Sequence, residues 1–165
     1  MDQSSQYRLE KISGPYAKVL QDSVLKFLYS LTTEQESFLL NQEQVLKALE
    51  LFIIKDLDGQ KIIGLAGIRP QKFYGLLFLV VHKDFQGMGL GKKLLLAVLE
   101  TVPRNKLLLL TVHRSNVKAR KLYKTNHFLT MHRHKILAYM IYGNRIGRIL
   151  KWPMTWAIQL SNWMD

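Results

Sequence analysis

Apolar positions along the chain change period several times, and each change marks an element. Tyr7 to Ile12 alternates and predicts a short first strand, closed by Ser13-Gly14-Pro15. From Tyr16 onward Val19, Leu20, Val24, Phe27, Leu28 and Leu31 recur at helical spacing. Thr33 with Glu36 three residues later is a capping-box signature for a second helix, and Asn41 with Gln44 predicts a restart toward Val45, Leu46 and Leu49. Leu51 to Leu57 and Lys61 to Ile68 flank Asp58-Gly59 and predict a hairpin. Pro70 ends its second strand, and Phe73 to Val81 predicts the next.

The sharpest change comes at Val80 to Lys93. Leu76 to Val81 is a continuous apolar run of strand length, as expected where both faces are covered. Beyond it Leu90, Leu94, Leu95, Val98 and Leu99 take up helical spacing until Pro103. Between them stand Gly87, Gly89 and Gly91, so a strand turns into a helix through a glycine loop. Glycine permits the turn and leaves no β-carbon to hold a ligand away, so successive N–H groups point into one space at the positive end of the helix dipole. That is an anion site, with Lys92 and Lys93 adding charge. Leu107 to Val112 predicts another buried strand, followed by a helix from Asn116 toward Phe128. Leu129 to Leu137 predicts one strand. Trp152, Met154, Trp156, Ile158 and Leu160 alternate with polar neighbours and predict a final one, which Pro153 places at an edge.

Length and charge narrow the class. A chain of 165 residues suits one domain, taken as 1–165. With no cysteine there is no disulfide framework, cysteine nucleophile or thiolate metal site. Residues 1–30 lack a signal-peptide core, and no apolar stretch approaches the roughly 20 residues of a membrane span. A cytoplasmic protein that does not enter the membrane is therefore expected. The three tryptophans near Arg145, Arg148 and Lys151 suggest a membrane surface instead, but their period of two argues against an amphipathic helix. The net charge is +12, and it is uneven. Residues 1–60 hold six Lys/Arg against nine Asp/Glu, and residues 61–165 hold 18 against three. The basic half is the half with the glycine loop, which fits a polyphosphate ligand and makes RNA a candidate partner.

Two phosphate loops are excluded by spacing. A Walker loop needs glycine where Gln86 stands and Ser or Thr where Lys93 stands, and a dinucleotide fingerprint needs G-x-G-x-x-G with a later acid where Thr111 stands. What remains is Gln86-x-x-Gly89-x-Gly91 after a buried strand, together with Asn116-x-x-Ala119-x-x-x-Tyr123 ending in His127-Phe128. In this order the two motifs resemble those of the GNAT acetyltransferase superfamily over roughly residues 75–130, and look closest to its ribosomal-protein N-terminal acetyltransferases. His127 departs from the pattern, which usually has glycine there.

The resemblance implies an α/β (α+β) fold, a mixed, mostly antiparallel sheet of about seven strands flanked by about four helices, with a splayed strand pair at the cofactor site. It implies an N-acetyltransferase that passes acetyl directly from acetyl-CoA to a primary amine of a small molecule or peptide. By the same likeness Leu79, Val80 and Val81 hold the pantetheine arm through main-chain bonds. Gln86, Gly87, Met88, Gly89, Leu90, Gly91 and Lys92 hold the pyrophosphate, and Asn116 borders the cofactor. Asn116 is equally readable as the cap of its own helix. Tyr123 matches the general acid, a phenol protonated at pH 7 and able to donate to a departing thiolate.

The base is less determined. The ribosomal-protein relatives carry a glutamate where this chain has Thr111, and after Asp58 the only acids are Asp84, Glu100 and Asp165. His113 is the first choice, with His82, Glu34, Glu36 and water as alternatives. His132 and His134 form no metal site without a third ligand. The rival functions are a GNAT-type toxin acting on aminoacyl-tRNA and a non-catalytic sensor binding CoA or RNA. The assembly is open to a homodimer.

Overall fold

The computed structural model describes residues 7–31, 45–56, 58–72, 74–103 and 106–143. Contacts divide the chain into two compact units, Met1–Val102 and Pro103–Asp165.

The first unit contains β1 (Arg8–Ser13), α1 (Lys18–Ser30), β2 (Glu50–Lys55), β3 (Ile62–Pro70), β4 (Tyr74–Val81) and α2 (Leu90–Thr101). Its four strands pair in sequence order, each antiparallel to the next. Ile53, Leu65 and Val80 stand opposite one another across β2, β3 and β4, and pack with Val24, Phe27 and Leu28 of α1. The other face of β3 meets α2. A β-carbon built on Gly64 would lie 3.1 Å from Leu94 Cδ1, so the missing side chain is what lets the helix approach. Both faces are thus covered, which is why β2 reads Leu51-Phe52-Ile53-Ile54 without alternation. The expected hairpin joins β2 to β3: Gly59 turns at φ 67°, and Asp56 Oδ1 accepts the N–H groups of Gln60 and Lys61.

The second unit contains β5 (Leu107–His113), α3 (Val117–Thr125), β6 (Leu129–His134) and β7 (Leu137–Tyr142), with β7 antiparallel to both β5 and β6. The sequence predicts a single strand over Leu129 to Leu137. The structure instead turns at Lys135, which adopts φ 43° without a glycine to announce it, and a further strand follows.

Register gives this sheet two unlike faces. Leu110, Val112, Ala138 and Met140 share one, all buried. On the other, Thr111 stands opposite Tyr139 and Tyr139 opposite His132, while His113 and His134 both stand opposite Leu137.

Seven strands and three α-helices are described in all, and the architecture is the mostly antiparallel α/β one that the sequence implies. The predicted helices after Leu31 and the predicted strand from Trp152 to Leu160 lie outside the described residues, apart from Val45 to Leu49.

Candidate active site

The glycine loop begins where β4 ends. His82 donates its N–H to the carbonyl of Ile63 at 2.8 Å, closing the β3–β4 ladder, and Lys83–Phe85 form one 3₁₀ turn. The Gln86 side chain reaches back and donates to the Val81 carbonyl at 3.1 Å. Gly87 and Gly89 then adopt φ 87° and 77°, a region that β-carbon sterics deny to other residues at little cost. A β-carbon at either would meet nothing in the chain within 4 Å. Gly89 is the N-cap of α2, and Gly91 lies in its first turn.

Main-chain donors accumulate here. Gln86 N–H bonds to the Lys83 carbonyl at 3.2 Å, and the first helical bond of α2 runs from Lys93 N–H to the Gly89 carbonyl at 3.1 Å. Between them, the N–H groups of Gly87, Met88, Gly89, Leu90, Gly91 and Lys92 have no acceptor among the described residues. Six consecutive unpaired donors at the positive end of a helix are an arrangement that can receive an anion. Lys92 is exposed beside them, whereas Lys93 Nζ is engaged by the Tyr7 carbonyl at 3.3 Å. Tyr7 also sets its ring edge-on to Phe85, with centroids 6.2 Å apart, and points its hydroxyl at Met88 Sδ. Tyr7 and Phe85 therefore brace the loop. Sequence reading missed both, because their contact spans nearly eighty residues and carries no motif.

Of the predicted strand residues, Val80 and Val81 are buried and Leu79 is half-buried, with main chains opposite Leu65, Gly64 and Ala66 of β3. Val81 and Gln86 are brought into direct contact.

In the second unit Asn116 caps α3, its Oδ1 accepting the Ala119 N–H at 3.0 Å. Tyr123 lies two turns further on, buried, its ring 5.5 Å from that of Phe128. The helix ends in a Schellman arrangement: Phe128 N–H bonds to the Tyr123 carbonyl and His127 N–H to that of Lys124. His127 occupies the left-handed position at φ 66°. The place where the motif usually has glycine thus keeps glycine's backbone conformation, and the cap is conserved in geometry although the residue is not.

Burial alone pushes the Tyr123 phenol well above its ordinary value, so it is protonated at neutral pH. Its hydroxyl makes no hydrogen bond among the described residues. Such a group gives a hydrogen bond to a developing anion readily and surrenders its proton reluctantly.

Two of the candidate bases are held by their own main chain. His113 Nδ1 accepts from Ser115 N–H at 3.4 Å and lies against Ser115 Oγ. His82 Nδ1 accepts from Asp84 N–H at 3.4 Å, with Asp84 Oδ2 3.5 Å away. Each ring is anchored to its own turn through Nδ1, and Nε2 has no hydrogen-bond partner among the described residues. Glu34 and Glu36 lie outside the described residues. Among the described residues no group of three His, Cys, Asp or Glu is placed to hold a metal, and no helix is long and apolar enough to cross a membrane.

Comparison with known proteins agrees with this geometry. Solved structures with a similar fold include a protein from Pyrococcus horikoshii (TM-score 0.65, 23% identity, covering 84% of this chain and 99% of that one). Another is the ribosomal-protein-S18-alanine N-acetyltransferase of Escherichia coli (TM-score 0.62, 18% identity, 81% and 91%). A third is the PaiA N-acetyltransferase of Thermoplasma acidophilum, solved with coenzyme A (TM-score 0.64, 14% identity, 82% and 99%). At these identities the likeness is one of fold. None of the curated proteins matches the chain by sequence. The family model described as "Acetyltransferase (GNAT) family" matches residues 18–128, a span that includes the glycine loop, Asn116 and Tyr123. The chain belongs to the GNAT acetyltransferase family and is an acyltransferase that draws its acetyl group from acetyl-CoA.

Proposed function

We propose that residues 1–165 act as a single N-acetyltransferase domain that moves acetyl directly from acetyl-CoA to a primary amine of a peptide, amino acid or small molecule. The observation that carries this reading is the run of six unpaired main-chain N–H groups from Gly87 to Lys92. They take the cofactor's pyrophosphate, with Lys92 adding charge and the end of β4 at Leu79, Val80 and Val81 offering main-chain bonds to the pantetheine arm. Gln86 acts indirectly by tying the loop to Val81. Asn116 presents its exposed N-cap position to the cofactor and Tyr123 donates to the departing sulfur. His113, whose Nδ1 lies against Ser115 Oγ, is the first choice for the general base that takes the amine proton.

The acceptor is best read as a weakly basic amine. An α-amine has a pKa near 8 and a lysine near 10.4, so freeing the lysine lone pair at pH 7 costs about 3 kcal/mol more. No carboxylate stands between Glu100 and Asp165 to offset that difference or to hold a polyamine. Thr111 stands where the ribosomal-protein type has its glutamate, and a threonine hydroxyl cannot accept the amine proton at neutral pH. The same charge distribution favours a second reading, in which the α-amine is carried on charged tRNA. Binding of tRNA that weakens steeply with salt would support it.

Calorimetry with coenzyme A and with pantetheine tests the main reading. Coenzyme A should bind at least tenfold more tightly, since pantetheine lacks the diphosphate. Gly87→Ala should weaken coenzyme A while leaving pantetheine unchanged, because a β-carbon at φ 87° strains the loop that presents the donors and its methyl enters the space beside them. Equal affinity for the two ligands, or no heat with either, would refute it.

A further inference from the structure

The glycine loop cannot hold its shape with the groups that it must offer to a ligand. From Gly87 to Lys92 the main-chain N–H groups have no acceptor among the described residues, so none of them ties the loop to the chain. Gly87 and Gly89 carry no side chain, and a β-carbon at either would meet nothing within 4 Å. Met88 is the one side chain between them by which this stretch can be gripped. The near end is fixed by Gln86, which donates to the Val81 carbonyl at 3.1 Å. That bond anchors the loop only to the strand it has just left.

The far side is held by a residue outside both motifs. Tyr7 points its hydroxyl at Met88 Sδ, 3.6 Å away, and sets its ring edge-on to Phe85 with centroids 6.2 Å apart. Its carbonyl accepts from Lys93 Nζ of α2 at 3.3 Å. One residue thus reaches the turn before the loop, the middle of the loop and the helix after it. Lys93 is engaged by this carbonyl, whereas Lys92 stays exposed beside the donors. Tyr7 is itself well founded, since it leads directly into β1, which pairs with β2 along its whole length and is pinned there by the Glu10–Lys55 ion pair at 2.9 Å. In the sheet β1 stands two strands away from β4, so the clamp is independent of the strand that starts the loop.

We propose that Tyr7 is a positioning residue of the anion site, which holds the loop in the shape that receives a diphosphate before the ligand arrives. The inference rests on the coenzyme A reading above. A loop with two glycines at positive φ has many other shapes open to it, and each residue ordered on binding costs affinity. A side chain that orders the loop in the free protein removes that cost from the binding step. The effect is confined to the diphosphate, because the main chain from Leu79 to Val81 is held by its pairing with β3 and does not depend on Tyr7.

Calorimetry of the full chain with coenzyme A and with pantetheine separates this role from a structural one. Y7A should weaken coenzyme A about tenfold, the effect of one or two residues left to be ordered on binding, and keep pantetheine within about twofold. Y7F keeps the ring against Phe85 and loses only the bond to sulfur, so its affinity for coenzyme A should stay within about threefold of the unaltered chain. M88A removes the same bond from the side of the loop, and Met88 is 46% exposed, so the core is untouched. Y7F and M88A combined should bind coenzyme A no more weakly than M88A alone. Unchanged coenzyme A affinity in Y7A, equal losses for the two ligands, or independent effects of Y7F and M88A that multiply would each overturn the proposal. The Y7F and M88A pair decides it even where Y7A fails to fold. Absence of coenzyme A binding by the unaltered chain removes the reading on which the proposal rests.

Discussion

Replacing Tyr123 with phenylalanine separates a catalytic phenol from a packing residue, because the structure predicts opposite effects on rate and on stability. The ring is buried against Phe128 with centroids 5.5 Å apart, and phenylalanine keeps that contact. The hydroxyl has no hydrogen bond among the described residues, so its removal breaks none. The change in stability should stay within about 0.5 kcal/mol, or roughly 2 °C in Tm for a chain of this size. Coenzyme A affinity should be unchanged, since the proposed anion site uses the amides of residues 87–92 and not the phenol. Turnover should fall by about 100-fold or more, the usual contribution of a general acid, which corresponds to about 2.7 kcal/mol or more in the barrier. Thiol release at saturating acetyl-CoA, calorimetry and a melting curve read the three quantities on one preparation. Parallel losses in turnover, affinity and Tm would show that the hydroxyl holds the fold, and the acid role would be refuted.

His127→Gly should stabilise the protein by about 0.5–1 kcal/mol: relief of a left-handed residue at φ 66° gains roughly 1–2 kcal/mol, and the greater freedom of glycine in the unfolded chain returns part of it. His127→Ala, which keeps the strain, should show no such gain in urea midpoint. Leu94→Ala should cost about 2–5 kcal/mol, because Leu94 is fully buried and holds α2 against Gly64; a smaller loss at unchanged m would mean the helix resettles onto the glycine. Burial, and secondarily the charge of Glu50, pushes the Tyr16 phenol up to about 12, and its hydroxyl donates to the Ala48 carbonyl at 2.7 Å. Between the ordinary phenol value near 10 and about 12 the unfolded chain loses a proton that the folded one keeps, so stability should be intact below pH 10 and decline as pH rises through that window. Urea midpoints for Tyr16→Phe should decline less steeply there, and an identical slope would contradict the assignment.

The parts of the molecule that could be read from the sequence are those whose signals are local. The glycine loop is announced by a change of period and by glycines at positions 87 and 89, both of which take positive φ. The hairpin at Asp58-Gly59 is announced in the same way. Asn116 is legible as a cap because a cap is formed with a residue three positions away. The turn at Lys135 is not legible, since a lysine there takes φ 43° without the usual residue, and β7 beyond it is not announced by the sequence. The left-handed position at His127 belongs with it: in both cases packing imposes a backbone conformation that the residue itself does not favour. Tyr7 and Phe85 meet only in the folded chain, so no spacing rule points to them.

This difference between local and long-range signals also explains why the glycine loop is readable and the make-up of a sheet face is not. A diphosphate is held by consecutive main-chain groups, so its site must be written in consecutive residues. Which side chains share one face of a sheet is decided instead by register. Thr111, Tyr139 and His132 become neighbours only because β7 pairs with β5 on one edge and with β6 on the other, and because the register shift between Thr130 and His132 turns the imidazole to the side of Tyr139. Without that shift the alternation of β6 would return His132 to the face of Met140, opposite the row that it now completes.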